Sequence, residues 1–261
     1  MIDFFKKEHL EVKIYESREA LGKAAAHEAA DKIRDLLSQQ KQINIVFAAA
    51  PSQNEFLEYL AKEPGIDWNR INGFHMDEYI GLSSDSSQSF GHFLKEHIFD
   101  VKPFLSVNLL NGQNRSMIQE CERYGQLIKA NPIDIVCMGI GENGHIAFND
   151  PHVADFKDQS IVKFVCLDNT CRQQQVNDGC FKAFQDVPTH AFTLTIPALM
   201  SARHVFCMVP NQKKALAVSN TIEDEINERC PATILRTHKS AILYLDSESS
   251  ELLLSIKKER S

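Results

Sequence analysis

The chain has 261 residues with a formal net charge of −7 at pH 7, and 43% of its residues are hydrophobic while 24% are charged. This balance excludes an intrinsically disordered chain and is typical of a globular protein with a sizeable core. The negative charge argues against nucleic acid or an anionic membrane as a partner, because the field of the whole molecule would repel both. A local cationic pocket for a small anion is compatible with it.

The cysteines indicate a reducing environment. The chain has seven, an odd number, and no two of them have C-x-x-C spacing. Such thiols stay free in a cytosol, so we expect a cytoplasmic protein. A zinc site needs a tighter cluster of Cys and His than this sequence contains, and no stretch is apolar over the length that spans a membrane. We therefore expect no metal and no membrane partner.

The predicted elements alternate between helix and buried strand. Ser17 is the expected N-cap of an Ala-rich helix that runs to about Leu37. An apolar strand over 43–48 then leads through a small-residue turn over 49–53 into a helix over 54–62. The pattern predicts these further elements: a strand at 70–74, an amphipathic segment at 90–99, a helix at 116–129, strands at 133–138, 192–196 and 205–209, a helix at 213–223 and a strand at 241–245.

This alternation predicts an α/β protein with a mostly parallel sheet that is covered on both faces. No linker, low-complexity tract or internal repeat divides the sequence, so we expect residues 1–261 to form a single domain. Ligands of such sheets bind at the carboxyl ends of the strands. Ser52, Asp77 and His145 are all expected there.

A glycine-rich turn, 139–145 (GIGENGH), follows the strand over 133–138. Glycines allow backbone amides to approach an anion closely and allow positive φ. His145 closes the turn and Asp150 follows five residues on, so an imidazole that titrates near neutrality has a carboxylate to steer it. This arrangement suits proton transfer, and a histidine held in a loop for structure alone is the alternative.

Two further segments carry charge. Asp77 and Glu78 are adjacent carboxylates after a predicted strand, where one can turn inward, gain a raised pKa and act as a base. Asp77 can equally cap a helix or a turn. Lys213 and Lys214 open a predicted helix, where their charge opposes the helix dipole unless an anion binds at that end. A pair of solvated lysines is the commoner explanation.

Three segments together resemble the glucosamine-6-phosphate deaminase/isomerase family over nearly the whole chain: 76–82 (MDEYIGL), 107–112 (VNLLNG) and 139–151 (GIGENGHIAFNDP). The resemblance implies a three-layer, Rossmann-like α/β fold. It also implies an aldose–ketose isomerisation with hydrolytic deamination of an amino-sugar phosphate, without a cofactor. The implied partner is a small sugar phosphate, and the sequence leaves open whether the chain forms a homo-oligomer.

The family's roles can be carried over to the matching positions. The resemblance implies that Asp77 is the base that moves a proton between C2 and C1 of the sugar, and that His145 protonates the ring oxygen. It implies that Asn143 and Asp150 orient His145, although the family usually has the longer Glu where Asp150 stands. The groups implied to hold the sugar are main-chain amides around two glycines, Gly139 and Gly141.

The expected phosphate site departs from the family. Its Thr-Gly-Gly-Thr loop is replaced by 49–52 (AAPS), in which both glycines are lost and a proline removes a backbone donor. An arginine of the family aligns nearest to Gly179. Either Ser52, Arg172 and Lys214 form a rebuilt phosphate site, or the substrate differs from glucosamine 6-phosphate.

Two other functions stay open. A lactone hydrolase similar to 6-phosphogluconolactonase shares this fold and a Gly-His motif, and 193–199 (TLTIPAL) suits it. Segment 76–79 argues against it, because that segment places an isomerase-type base. A non-catalytic sugar-phosphate-binding protein would have no need of a proton-transfer pair at Asp77 and His145.

Overall fold

The computed structural model describes residues 1–253. Its strands are β1 (Asp3–Lys7), β2 (Leu10–Tyr15), β3 (Ile43–Phe47), β4 (Ile71–His75), β5 (Asp77–Tyr79), β6 (Ser106–Asn108), β7 (Ile135–Met138), β8 (Val162–Cys166), β9 (His190–Leu194), β10 (His204–Val209) and β11 (Ala241–Asp246). Its α-helices are α1 (Arg18–Gln39), α2 (Asn54–Lys62), α3 (Phe90–Leu94), α4 (Met117–Ala130), α5 (Asn169–Asn177), α6 (Ile196–Met200) and α7 (Ala215–Glu223). Within the described part of the chain, no helix has both the length and the apolar character needed to cross a bilayer.

Eight strands form the main sheet, in the order β1-β2-β11-β10-β7-β3-β4-β6. Every neighbouring pair is parallel except β1 and β2, which form a hairpin at one edge. The central strands β3 and β7 are buried along their whole length, which explains why their sequences are apolar except at Asn44. The predicted α/β fold with a mostly parallel sheet is confirmed.

Alternate residues of the central strands pack into two different cores. Ile135 and Cys137 belong to an apolar cluster with α1 and α2, whereas Val136 and Met138 belong to a cluster with α4 and α7. Side chains of a strand point alternately to the two faces of its sheet. Helices therefore cover both faces, which gives the three layers.

A second, three-stranded sheet has the order β5-β9-β8 and is antiparallel. The strand predicted at 192–196 lies in this sheet as β9, outside the parallel sheet. The chain leaves the main sheet at the end of β4, and one residue later it enters the small sheet at Asp77, which pairs with Thr193. Asp77, the first residue of the small sheet, therefore lies beside the carboxyl ends of the strands of the main sheet.

The first helix begins as predicted, since the Ser17 hydroxyl accepts a hydrogen bond from the Ala20 amide at 3.2 Å. Its buried face is rich in alanine, so α2 can pack closely against it. At the closest point, a Cβ on Gly22 would lie only 2.5 Å from the Cβ of Glu55. The start of α1 is therefore held beside the start of α2, at the same edge of the sheet as Asp77.

Candidate active site

A cleft lies at the carboxyl ends of β3, β4, β7 and β10. It is lined by six of the residues expected from the sequence: Ser52, Asp77, Gly139, Gly141, His145 and Lys214. Asn143 and Asp150 lie behind the ring of His145 and contact it. The structure does not bring Arg172 to this cleft, and it adds a cation that the sequence analysis missed, Arg18.

Asp77 is a buried carboxylate that faces the cleft, with 6% of its surface exposed. Within residues 1–253 no group donates a hydrogen bond to its carboxylate oxygens. Burial, and then the neighbouring charge of Glu78, raise the pKa of Asp77 well above its ordinary value. A carboxylate in this condition is a stronger base than a solvated one, which suits it to accept a proton from carbon.

Glu78 has the opposite environment. Its carboxylate accepts hydrogen bonds from the Ser89 hydroxyl at 2.7 Å and from the amides of Gly91 at 2.9 Å, Phe90 at 3.1 Å and Tyr79 at 2.9 Å. Burial raises the pKa of Glu78, although these bonds oppose the rise. Glu78 therefore accepts hydrogen bonds from the first amides of α3. The sequence had left this helix-capping role open for Asp77.

The backbone that carries Asp77 is fixed on both sides. Before it, His75 Nε2 accepts a hydrogen bond from the Leu110 amide at 2.8 Å. After it, the Tyr79 carbonyl packs against Gly112, where a Cβ would overlap the carbonyl oxygen. Segment 107–112 thus braces the strand that bears the carboxylate, which explains why it accompanies segment 76–82 in the sequence.

The ring of His145 is held through one nitrogen. Its Nδ1 lies 2.7 Å from Asn143 Oδ1 and 3.0 Å from Asp150 Oδ1, and its main-chain amide also donates to Asn143 Oδ1 at 3.1 Å. Because both neighbours of Nδ1 are acceptors, this network assigns the proton to Nδ1. Nε2 is then the nitrogen left to exchange a proton in the cleft.

Asp150 is fully buried and tied into a second layer of hydrogen bonds. Asn143 Nδ2 donates to Asp150 Oδ1 at 3.0 Å and to Asp168 Oδ2 at 3.1 Å, and the Asp168 amide approaches Asp150 Oδ2 at 3.3 Å. Burial raises the pKa of Asp150, but the hydrogen bond and charge of His145, with the bonds from Asn143 and Asp168, lower it to about 2. Asp150 thus stays ionised beside Nδ1 of His145.

Asp168 was missed by the sequence analysis. It is the N-cap of α5, where its Oδ1 accepts from the Cys171 amide at 2.6 Å. A signal was present, because an acidic residue directly after an apolar run and before a helix is typical of an N-cap. That the same carboxylate also holds Asn143 depends on the tertiary fold.

Two clusters of side chains within residues 1–253 contain atoms of the kind that bind metal ions. One cluster is His145, Asp150 and Cys171, and the other is Asp150, His152 and Asp168. Both share Asp150, whose oxygens already accept from Asn143 and approach the Asp168 amide. Burial raises the pKa of Cys171 well above its ordinary value, so this thiol is a poor metal ligand at neutral pH.

The glycine turn shapes the site by its lack of side chains. A Cβ on Gly141 would overlap the ring of His145, and a Cβ on Gly139 would crowd the side chains of Gln53 and Ser52 at 3.2 and 3.3 Å. The Gly141 amide donates to the His145 carbonyl at 2.9 Å. The Gly141 amide is thus already paired in closing the turn, and its expected role in holding the substrate stays a prediction.

Lys214 is not a solvated lysine. It lies in a 3₁₀ turn just before α7, lines the cleft and is only 6% exposed. Burial lowers the pKa of Lys214, while the charges of Asp178 and Glu142 oppose this. Across residues 1–253 no group accepts a hydrogen bond from its ammonium group, which is therefore available to bind an anion.

Arg172 does not contribute to the cleft, which corrects the expectation from the sequence. Its Nη2 donates to the carbonyls of Phe184 at 3.0 Å and Val187 at 2.9 Å, and its guanidinium carbon lies 4.1 Å from the centre of the Phe184 ring. The side chain is directed towards segment 184–187 and fastens it to α5. Its charge is therefore used for structure.

Known proteins are similar to this chain in sequence and in fold. The family model described as glucosamine-6-phosphate isomerases/6-phosphogluconolactonase matches residues 16–244. Glucosamine-6-phosphate deaminases of Bacillus cereus (strain B4264) and Bacillus cytotoxicus are 36% and 35% identical over 187 residues, which cover 72% of this chain and 70% of each relative. A monomeric glucosamine-6-phosphate deaminase has a similar structure, with a TM-score of 0.83 and 28% identity over 92% of this chain and 99% of that one. The 6-phosphogluconolactonase of Thermotoga maritima shares the fold, with a TM-score of 0.75 and 20% identity over 91% of this chain and 99% of that one.

Proposed function

Because the chain belongs to the family of glucosamine-6-phosphate isomerases and 6-phosphogluconolactonases, we propose that it catalyses the isomerising deamination of an amino-sugar phosphate of the glucosamine 6-phosphate type. The reaction converts the amino aldose phosphate and water into a ketose phosphate and ammonia. The observation that carries the proposal is one cleft that holds both a buried, unpaired carboxylate at Asp77 and an imidazole at His145 whose Nδ1 is already held.

His145 acts first, on the closed sugar ring. A proton passes from Nε2 of the imidazolium to the ring oxygen as the bond between C1 and that oxygen breaks. The C1 hydroxyl then gives its proton to Nε2, which forms the open-chain aldehyde and restores His145. The ionised Asp150 supports the imidazolium form of His145, and Asn143 fixes the plane of the ring.

Asp77 then moves the proton that changes aldose to ketose. Its carboxylate removes the proton from C2, which gives an enolamine, and returns it to C1, which gives an imine at C2. Water adds to this imine and ammonia leaves, so that the ketone forms. A positioned base of this kind contributes about 10²–10⁴-fold in rate. The electrons move only within the substrate, so the chemistry requires no redox cofactor.

The phosphate group binds beside Ser52 and Lys214. Both residues line the cleft, and both lie in 3₁₀ turns that precede α2 and α7. An unpaired ammonium group and a hydroxyl are suitable partners for phosphate oxygens. Around Gly139 the absence of a side chain leaves room for the sugar to approach the main chain.

Hydrolysis of 6-phosphogluconolactone is the second candidate. The shared fold favours it. In that reaction His145 would activate water, and Asp77 would have no role. The buried carboxylate therefore favours the deaminase.

The proposal is tested by the release of ammonia from glucosamine 6-phosphate, galactosamine 6-phosphate and unphosphorylated glucosamine. We expect release from one of the phosphate esters and much less from glucosamine. The same preparation is assayed with 6-phosphogluconolactone. Lactone hydrolysis without ammonia release from any amino sugar would overturn the proposal in favour of the second candidate.

A further inference from the structure

Arg18 is a further cation that lines the cleft. Arg18 is the first residue of α1, directly after the N-cap Ser17, where a positive charge opposes the helix dipole. This unfavourable interaction with the helix dipole is offset if the guanidinium extends away from the helix and contacts anions. One such anion is Glu55, whose Oε1 accepts from Arg18 Nε at 2.6 Å.

The guanidinium of Arg18 is locked beside the turn that holds Ser52. Its Nη2 donates to the carbonyl of Pro51, in addition to the ion pair with Glu55. These two contacts leave further N–H donors of the planar group unused. The side chain is 34% exposed, and it lines the same cleft as Ser52 and Lys214. Unused donors of a fixed guanidinium are therefore available to a ligand in the cleft.

Arg18 stands where the loop has lost donors of its own. Segment 49–52 has a proline that cannot donate, and Arg172 is held by carbonyls elsewhere. A guanidinium matches the oxygens of a phosphate because its parallel N–H groups bind two of them at once. We propose that Arg18 binds the phosphate group of the substrate, together with Lys214 and Ser52, and so determines the preference for a phosphorylated sugar.

The inference rests on the proposed function, because it takes the ligand to be a phosphate ester. The cleft is also lined by Asp178, whose negative charge acts on Lys214. Loss of that charge should have the opposite effect to loss of Arg18. Variants of these two residues are therefore expected to change phosphate affinity in opposite directions. A folding defect would weaken binding in either variant and could not produce both results.

The test measures inorganic phosphate binding by calorimetry, and the KM for glucosamine 6-phosphate, in the full chain and its variants. For Arg18→Ala we expect both the dissociation constant and the KM to rise about 10- to 100-fold, with a smaller rise for Arg18→Lys. Asp178→Asn should lower both constants. Lys23→Ala, which removes an exposed charge from the same helix, is the matched control and should leave both unchanged.

The results separate this inference from the proposed reaction. Inorganic phosphate binding that weakens in Arg18→Ala supports the inference even if the chain releases no ammonia, which would overturn only the reaction. Unchanged phosphate binding and KM in a folded Arg18→Ala, as judged by its thermal midpoint, would overturn the inference. If Arg18→Ala does not fold, the same outcomes are read from Arg18→Gln, which keeps part of the aliphatic stem and a polar end but removes the charge.

Discussion

The carboxylate of Asp150 lies 3.0 Å from Nδ1 of His145, although Asp150 is one methylene shorter than the glutamate expected at its position. The intervening segment folds back on itself, since Ile146 and Asn149 form an isolated β-bridge. The Asn149 side chain also donates to the carbonyls of Ile146 at 3.0 Å and Leu194 at 2.9 Å, which ties the turn to β9. The backbone therefore supplies the approach that a longer side chain would otherwise provide.

Neutralising Asp150 should impair proton transfer by His145. In Asp150→Asn the imidazolium loses its counter-charge, so we expect kcat/KM for the amino-sugar phosphate to fall about 10²-fold or more. The measurement is steady-state ammonia release. Asp150→Glu is the matched control, because it keeps the charge and should retain most of the activity. Equal rates for wild type and Asp150→Asn would show that the contact is structural only.

The raised pKa of Asp77 has a consequence for stability. A carboxyl group whose pKa is raised in the folded state stabilises the fold below its unfolded pKa, about pH 4, and loses this contribution as pH rises through the folded value. Asn at this position mimics the protonated form at every pH. We therefore expect Asp77→Asn to unfold at a higher temperature than wild type at pH 8, with the difference vanishing near pH 4. A difference in thermal midpoint that does not depend on pH would contradict this.

The glycine turn offers a test of steric design. In Gly141→Ala the added methyl group would overlap the His145 ring, so the imidazole must move. We expect a large loss of ammonia release with the overall fold retained in circular dichroism. Gly125→Ala is the control: its Cβ would meet Ile161 at an ordinary 3.8 Å, and within α4 it should leave activity unchanged and raise the free energy of unfolding by up to about 1 kcal/mol.

The layers of the fold could be predicted because the central strands β3 and β7 are short, mostly apolar runs that alternate with helices. The helix predicted over 54–62 is α2 (Asn54–Lys62), and the strand predicted over 43–48 is β3 (Ile43–Phe47). The hairpin of β1 and β2 was missed, because one face of β1 is exposed and its alternating residues do not form an apolar run. The partner of β9 could not be predicted, since periodicity identifies a strand but not the sheet to which it belongs.

The site could be predicted where chemistry coincided with a strand end, as at Asp77, His145 and Lys214. It could not be predicted where a contact joins distant segments. Arg18 reaches the cleft only because α1 packs on α2, and nothing in the local sequence distinguishes it from a surface arginine. Arg172 was assigned to the phosphate for its charge, but that charge is directed to two carbonyls.

The proposed base is tested most directly by the rate of ammonia release in two adjacent, isosteric variants, Asp77→Asn and Glu78→Gln. Asp77 faces the cleft with no recorded donor among residues 1–253, whereas Glu78 is held by protein donors. We expect Asp77→Asn to lose about 10²–10⁴-fold in kcat. Glu78→Gln should keep most of its activity, and its free energy of unfolding should fall by about 1–3 kcal/mol because one acceptor becomes a donor. Wild-type turnover by Asp77→Asn, or an equal loss in both variants, would contradict the assignment of Asp77 as the base.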